Sequence, residues 1–423
     1  MIIVHLTSST FFGGPERQML GLAQHLVPAY RSVFLSFSEG GCCQAFLHEG
    51  RRQGFDGWEL SNDTPRWAAA IHEIRGWLRE TQAGVLCCHG YKANLLGRWA
   101  ARRENVPVVA VSRGWTGEDF KVRFYEAIDR LFLRRMDQVI CVSQGQRAKV
   151  IRAGVPASKV TVIHNAIDAS RFTRPNPAYR DQLRRLFPKP PARIVGAAGR
   201  LSPEKGFSVL IEAAREVVGP PSVGFVLFGD GPLRDTLQRQ INDAGLQSSF
   251  VLGGFRNDLD CWLPSFDLFV APSFTEGLPN VILEAFAAAV PVVATAVGGT
   301  PEIVDDEVSG YLVPPGDAQA LANRIQVLLN SEEQARTMGQ RGRQRVLQNF
   351  TFESQAAAYR RLFEGMLTSF PNSVWERDSS KRRFANLTGH MNNHRRKEET
   401  ELPGPVFPNQ VWEREGNALE GHE

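Results

Sequence analysis

Short apolar runs recur along this chain, separated by longer amphipathic segments. The runs 2–6, 32–36, 85–88, 106–111 and 139–142 are strand-sized, and most are rich in Val and Ile. Such runs suit strands that are covered on both faces of a parallel sheet. The segments 16–26, 67–80 and 93–103 between them read as helices. Strand alternating with helix predicts a doubly wound α/β domain.

The pattern breaks after residue 167. The stretch 168–191 carries Pro175, Pro177, Pro188, Pro190 and Pro191 without a strand period, and reads as an interdomain connection. A second α/β series then starts, with strands expected at 194–198, 223–229, 250–252, 268–271 and 292–295. Helices are expected at 208–217, 233–244, 280–289, 317–329, 332–349 and 352–367. The expected organisation is a first domain over 1–167, the connection 168–191, a second domain over 192–350, a last helix over 351–370 and a tail over 371–423. The tail is polar and mixed in charge, so disorder is expected there.

Composition excludes several classes. The chain has 423 residues, 43% of them apolar and 22% charged, with a net charge of +4. That is ordinary for a globular protein, not for a disordered, collagenous or disulfide-stapled one. The mild basicity does not argue for nucleic acid, but it suits a protein handling phosphorylated ligands. No C-x-x-C pair occurs among Cys42, Cys43, Cys87, Cys88, Cys141 and Cys261, so no zinc knuckle is supported. Cys87, Cys88 and Cys141 lie in apolar runs and read as buried thiols of a reducing compartment, the cytoplasm. No run reaches the length of a membrane span. The start of the chain is already strand-like and lacks a basic n-region, so no signal peptide is expected.

Three loops carry chemistry. Gly13-Gly14-Pro15-Glu16 sits between a strand and a helix, where glycines admit a ligand to the backbone and the helix start attracts anions. Taken alone, a tight turn without a ligand is the better reading of this loop. Gly199-Arg200-Leu201-Ser202-Pro203-Glu204-Lys205-Gly206 follows a strand, at the end where open α/β sheets bind ligands. Its Arg200 and Lys205 are two cations framed by glycines, which favours phosphate. The third loop, Ser273 to Glu284, holds Glu276 and Glu284 in a Glu-x7-Glu spacing and runs into a helix. One carboxylate can accept from sugar hydroxyls and the other from a ribose diol, with Gly277 and Leu278 at the positive helix end. A capped helix with surface glutamates fits this third loop as well.

These elements occur in order with Gly229-Asp230-Gly231-Pro232-Leu233, Cys141-Val142-Ser143, His164-Asn165-Ala166-Ile167-Asp168 and Gly298-Gly299-Thr300-Pro301-Glu302. Together they resemble the group 1 (family four) retaining glycosyltransferases of the GT-B fold over residues 1–370. The resemblance implies two facing Rossmann-like domains, the acceptor on the first and a nucleotide-diphosphate sugar on the second, and a C-terminal helix crossing back to the first. It implies that Arg200 and Lys205 hold the donor diphosphate, Glu284 the ribose and Glu276 the sugar, and that Gly14 offers its N–H to a phosphate. No metal and no cofactor are expected, because the cations take the metal's place. The only Asp-x-Asp, Asp258-Leu259-Asp260, reads as a polar helix start.

One departure stands out. Many family members carry a His at the end of the run that here leads into Ser112-Arg113-Gly114-Trp115-Thr116. Arg113 takes its place and could stabilise charge on donor or acceptor. His89, at the end of the neighbouring strand, is a second catalytic candidate, weighed against a merely satisfied polar residue. The segment 120–136 has Phe120, Phe124, Ile128, Leu131 and Phe132 at helical spacing among Lys121, Arg123, Arg130, Arg134 and Arg135. It could rest on a membrane, but an apolar stripe packed on the sheet is the expectation.

The resulting reading is a bacterial glycosyltransferase of envelope polysaccharide or lipopolysaccharide biosynthesis. It would be cytoplasmic, peripheral on the inner membrane where its acceptor is lipid-linked, and would use a glycan or lipid-linked acceptor and no nucleic acid. The competing readings are a sugar-nucleotide epimerase or phosphorylase on the same fold, and a non-catalytic sugar-nucleotide-binding protein.

Overall fold

Two sheets organise the protein in a computed structural model that describes residues 1–115, 120–172, 176–217 and 222–369. The first sheet contains β1 (Ile2–Thr7), β2 (Arg31–Phe37), β3 (Asp56–Leu60), β4 (Val85–His89), β5 (Val108–Ser112), β6 (Gln138–Cys141) and β7 (Val160–Val162). Their spatial order is β3-β2-β1-β4-β5-β6-β7, and every neighbouring pair is parallel. Parallel neighbours need crossovers. These are made by α1 (Gly14–Leu26), α2 (Gln44–Arg52), α3 (Trp67–Glu80), α4 (Tyr91–Glu104), α5 (Phe120–Leu133) and α6 (Gln144–Arg152).

The chain then enters α7 (Pro177–Arg185) and the second sheet. Its strands are β8 (Arg193–Ala198), β9 (Val223–Phe228), β10 (Phe250–Gly254), β11 (Leu268–Ala271), β12 (Val292–Thr295) and β13 (Gly310–Val313). They lie in the order β10-β9-β8-β11-β12-β13, again all parallel. Around them stand α8 (Phe207–Val217), α9 (Arg234–Asp243), α10 (Leu259–Trp262), α11 (Asn280–Ala287), α12 (Thr300–Ile303), α13 (Ala318–Asn330) and α14 (Glu332–Asn349). The last helix, α15 (Phe352–Ser369), returns to the first sheet. Its Ala356, Tyr359, Phe363 and Met366 are buried in one cluster with Ile3, Leu22, Val109 and Ile163. This is the Rossmann-like pair with a crossing-back helix that the motifs imply.

Several elements differ from expectation. The strands β3, β7 and β13, absent from the sequence reading, are all sheet edges. An edge strand is covered less completely: in β3 only Gly57 and Leu60 are buried, so it does not read as an unbroken apolar run. The proline-rich stretch after residue 167 contains α7, whose start is capped by Asn176 accepting the Ala178 N–H at 3.0 Å. Leu183 and Phe187 are buried with Trp262 and Phe266, and Arg180 pairs with Asp267 at 3.0 Å. Asp258 does start the short helix α10, as its polar reading anticipated.

Helix α5 meets the expectation for its apolar stripe only in part: Phe132 packs against the core of the first sheet and Ile128 is partly covered. Phe124 is 58% exposed and Leu131 48%, while Glu126 and Asp129 are buried. The Asp129 carboxylate accepts from Asn94 Nδ2 at 2.7 Å and Trp115 Nε1 at 3.0 Å, which turns the acidic side inward. The side chains of Phe120 and Lys121, Thr116, and the tail 371–423 lie outside the described residues. Among the described residues, no helix is long and apolar enough to cross a membrane.

Candidate functional site

Strand order reverses between β1 and β4 in the first sheet and between β8 and β11 in the second. In open α/β sheets the crevice for a ligand opens outside the carboxyl ends at such a reversal. The two crevices meet here. A Cβ on Gly14, after β1, would fall 2.8 Å from Asn280 Nδ2 of α11. A Cβ on Gly277, after β11, would fall 1.7 Å from the Arg113 carbonyl oxygen. Only glycine lets the backbones approach so closely at Gly277. Between the lobes lies a cavity of about 270 Å³. Pro15 and Arg113 line it from the first lobe, Asn165 from the chain crossing, and Lys205, Glu276 and residues 277–281 from the second lobe.

Two loops build the second-lobe wall. After β8 the chain turns through Gly199 to Lys205, and Gly206 adopts φ +64° against the Pro272 carbonyl. The Gly229 to Leu233 loop is zipped to it: Leu201 N–H donates to Asp230 O and Leu233 N–H to Leu201 O, each at 2.9 Å. Lys205 thereby reaches across to Glu276, with Nζ to Oε1 at 2.7 Å. Ser273 Oγ donates to the same oxygen at 2.7 Å. The Glu276 backbone is held from behind by Gly298, where a Cβ would lie 1.9 Å from its carbonyl oxygen. The start of α11 opens onto this cavity, adding the partial positive charge of a helix end.

The first-lobe wall is a row of three side chains from adjacent strands. His5 of β1, His89 of β4 and Arg113 after β5 follow one another across the sheet. Arg113 Nη2 lies 3.1 Å from His89 Nδ1, and His89 Nε2 lies 3.1 Å from His5 Nδ1. Arginine only donates, so His89 Nδ1 accepts and its single proton sits on Nε2. That proton is donated to His5 Nδ1, which leaves the His5 proton on a buried Nε2 without a partner. Both rings are therefore neutral. Burial lowers the His5 pKa to about 3, with Arg113 adding to the effect. Burial, Arg113 and His5 lower that of His89 well below the usual histidine range. His89 stands behind Arg113, lining only a small internal void of about 10 Å³, whereas Arg113 also lines the larger cavity. The Arg113 Nε is buried without a hydrogen-bond partner.

Three other expected residues stand outside the cavity lining. Arg200 is exposed at the exit of β8. Gly14 sits beside the lining Pro15 and faces Asn280. Glu284 is half-buried along α11. Burial raises its pKa to about 7, Arg17 and Arg171 pull it partly down, and Asp260 pushes it up. The cavity thus brings together Arg113, Lys205, Glu276, Gly277 and Leu278 of the expected set.

Sequence reasoning gave no role to several residues that build the site. Asn165 Nδ2 donates to Asn280 Oδ1 at 2.8 Å, tying the chain crossing to α11. Both lie inside motifs that were legible, but their contact is not. Glu302 accepts from the Gln144 and Gly145 N–H groups at the start of α6, at 2.9 and 3.1 Å, and pairs with His164 Nε2 at 2.8 Å. It thus clasps one lobe to the other. Among the described residues, no group of three or more His, Cys, Asp or Glu side chains is placed to hold a metal ion.

Comparison with known proteins follows the two sheets. The family described as Glycosyltransferase Family 4 matches residues 12–171, and that described as Glycosyl transferases group 1 matches residues 192–331. The chain is 33% identical over 244 residues to an amylovoran biosynthesis glycosyltransferase of Erwinia amylovora, spanning 56% of this chain and 57% of that protein. It is 28% identical over 306 residues to the UDP-Gal:alpha-D-GlcNAc-diphosphoundecaprenol alpha-1,3-galactosyltransferase of Escherichia coli, spanning 69% of this chain and 78% of that one. Among solved structures, Anabaena HepE in complex with UDP-glucose superimposes with a TM-score of 0.76 at 25% identity, covering 87% of this chain and all of that one.

Proposed function

We propose that this chain, which belongs to the group 1, family 4 glycosyltransferases, transfers a sugar with retention from a nucleotide-diphosphate donor to a glycan or lipid-linked acceptor in polysaccharide or lipopolysaccharide assembly. One observation carries the reading. The two sheet crevices face each other across a single cavity, with the Lys205–Glu276 pair on one wall and Arg113 on the other. A donor lying on the second lobe would present its diphosphate to Lys205, Arg200 and the start of α11. Negative charge grows on that diphosphate as it leaves, and preorganised cations and helix ends stabilise it without a metal. Glu276 would orient the sugar hydroxyls and Glu284 the ribose diol. The acceptor hydroxyl attacks from the face the diphosphate leaves, and a donor phosphate oxygen takes its proton. The competing epimerase, phosphorylase and non-catalytic readings find no support in the relatives, which are described as transferases.

Arg113 would face the acceptor. Arg113 approaches the cavity with no carboxylate partner among the described residues, and the neutral His5–His89 pair holds it from behind. A guanidinium so placed suits a phosphate. The Escherichia coli relative is described as acting on a diphosphate-linked lipid, which supports an acceptor of this class. His89 would then position Arg113 and exchange no proton with substrate.

A thermal-shift screen of UDP-, GDP-, dTDP- and ADP-sugars tests the reading. One donor at about 100 times its Kd should raise stability by about 2.7 kcal/mol. Donor turnover should require an acceptor. No stabilisation by any nucleotide sugar, or full turnover without an acceptor, would refute it.

A further inference from the structure

Arg113 is the cation that the first lobe brings to the cavity, and His89 holds only one of its nitrogens. The void of about 10 Å³ behind it is lined by Arg113 and His89, by Gln18 of α1, and by Gln355 and Tyr359 of α15. Two polar atoms of these side chains are buried without a hydrogen-bond partner, Arg113 Nε and Gln355 Oε1. The first is a donor and the second an acceptor. Each is costly to leave unpaired in a buried place, and the two are complementary.

The other contacts of Gln355 fix which way its amide points. Gln18 Oε1 accepts from the Ala166 N–H at 2.9 Å, while Gln18 Nε2 donates to the Ala166 carbonyl at 2.6 Å. Gln18 therefore presents an acceptor to α15. Gln355 Nε2 donates to it at 3.3 Å and to the His164 carbonyl at 2.8 Å. Two acceptors hold the amide nitrogen on their side, so Gln355 Oε1 turns away from them. Tyr359 follows one turn later on α15. Burial raises the pKa of its hydroxyl, Cys87 adds to the rise and Arg113 offsets part of it, so the phenol is neutral. A buried water needs about 10–15 Å³ of such space and about two to four polar partners. The void meets both needs.

We propose that one water occupies this void, accepts from Arg113 Nε–H and donates to Gln355 Oε1, and that Gln355 is thereby a positioning residue for Arg113. The guanidinium is then held at two nitrogens, Nη2 by His89 and Nε by the water. A planar fork fixed twice cannot turn about its stem, and its remaining N–H groups are left for the cavity. Through Gln355 and Gln18 the same water ties Arg113 to the chain crossing at 164–166.

A high-resolution crystal structure of the full chain tests the bridge without substrate. It should show one water within hydrogen-bond reach of both Arg113 Nε and Gln355 Oε1. The kinetic arm rests on the proposed phosphate-bearing acceptor. Gln355→Met keeps length and bulk but has no carbonyl oxygen. It should lower kcat/KM for such an acceptor by about tenfold, the effect of a lost hydrogen bond to a charged group, mostly through KM. A phosphate-free acceptor should lose much less. In an Arg113→Ala background the same change should add nothing, because its effect passes through the guanidinium. Circular dichroism and donor-induced stabilisation check folding, and the water alone decides if Gln355→Met does not fold. A void without water, or an equal loss from Gln355→Met with and without Arg113, would overturn the proposal and leave Gln355 as a tie between chain crossings. If Arg113→Ala treats both acceptors alike while Gln355→Met still loses its effect in that background, the acceptor reading fails and the positioning stands.

Discussion

Replacing Glu284 with glutamine should move two properties in opposite directions. The Glu284 carboxyl is lifted to about 7 from an ordinary 4.5, chiefly by burial. Between those values the folded protein holds a proton that the unfolded chain releases. Stability therefore falls as pH rises from about 4.5 to about 7 and is level beyond. At about 1.4 kcal/mol per tenfold, that gap is worth at most about 3 kcal/mol. Glutamine never ionises, so Glu284→Gln should gain on wild type across this window, by up to about 3 kcal/mol near pH 8. That gain would raise Tm by several degrees. Donor affinity should move the other way, because a ribose diol loses an anionic acceptor, and charge-assisted hydrogen bonds contribute about 1.5–3 kcal/mol. The assay is thermal unfolding of both proteins from about pH 5 to about pH 8, with calorimetric titration of the nucleotide selected by the donor screen. A stability difference that ignored pH would refute the raised carboxyl. Unchanged nucleotide affinity would refute its place at the ribose.

Lys205→Ala and Arg200→Ala should each lose about 10² to 10³ in turnover while circular dichroism shows a folded protein, and wild-type kinetics in either would sink the phosphate assignment. Glu276→Gln should lower kcat more than it raises the donor KM, since contacts to the sugar matter most as it reacts. Activity should persist in excess EDTA; loss restored by Mg²⁺ or Mn²⁺ would contradict charge compensation by side chains and helix ends. Arg113→Ala should weaken a phosphate-bearing acceptor far more than a phosphate-free one. Because Glu284 ionises near 7, donor affinity should rise through that pH; Glu284→Gln should remove this limb and His89→Asn should keep it, and its loss in His89→Asn would assign it to the imidazole instead.

Local sequence revealed the covered strands and hid three of the four edges. β4, β5 and β9 are buried along their whole length and stand out as unbroken apolar runs. The edges β3, β7 and β13 are short and only β10 among the four edges carries an apolar run, 250–252, that marks it as a strand. Helix α5 misled only in part. Spacing shows that Phe124, Ile128 and Leu131 share a face, but not which way that face points. Trp115 and Asn94, each distant in sequence, supply the donors that draw Asp129 inward and leave Phe124 and Leu131 outside.

The site divides along the same line. Lys205 and Glu276 are legible because each sits in a loop between a strand and a helix, with glycines that mark close backbone approach. Their mutual contact at 2.7 Å needs only that β8 and β11 be neighbours, as they are. His5 is invisible by comparison. It lies in the middle of an apolar strand, 84 residues from His89, and nothing local distinguishes it from a polar exception in a buried run. Strand order alone gives it meaning, since β1 beside β4 beside β5 puts His5, His89 and Arg113 in one row. The direction of that row is then fixed by chemistry. A guanidinium has no lone pair to offer, so each imidazole in turn accepts from the cavity side and carries its proton on the nitrogen facing away from it. An arginine at position 113 thus does more than replace a histidine at the cleft. It takes the one free nitrogen His89 could have turned toward a substrate, and leaves a fixed cation as the group that the first lobe presents.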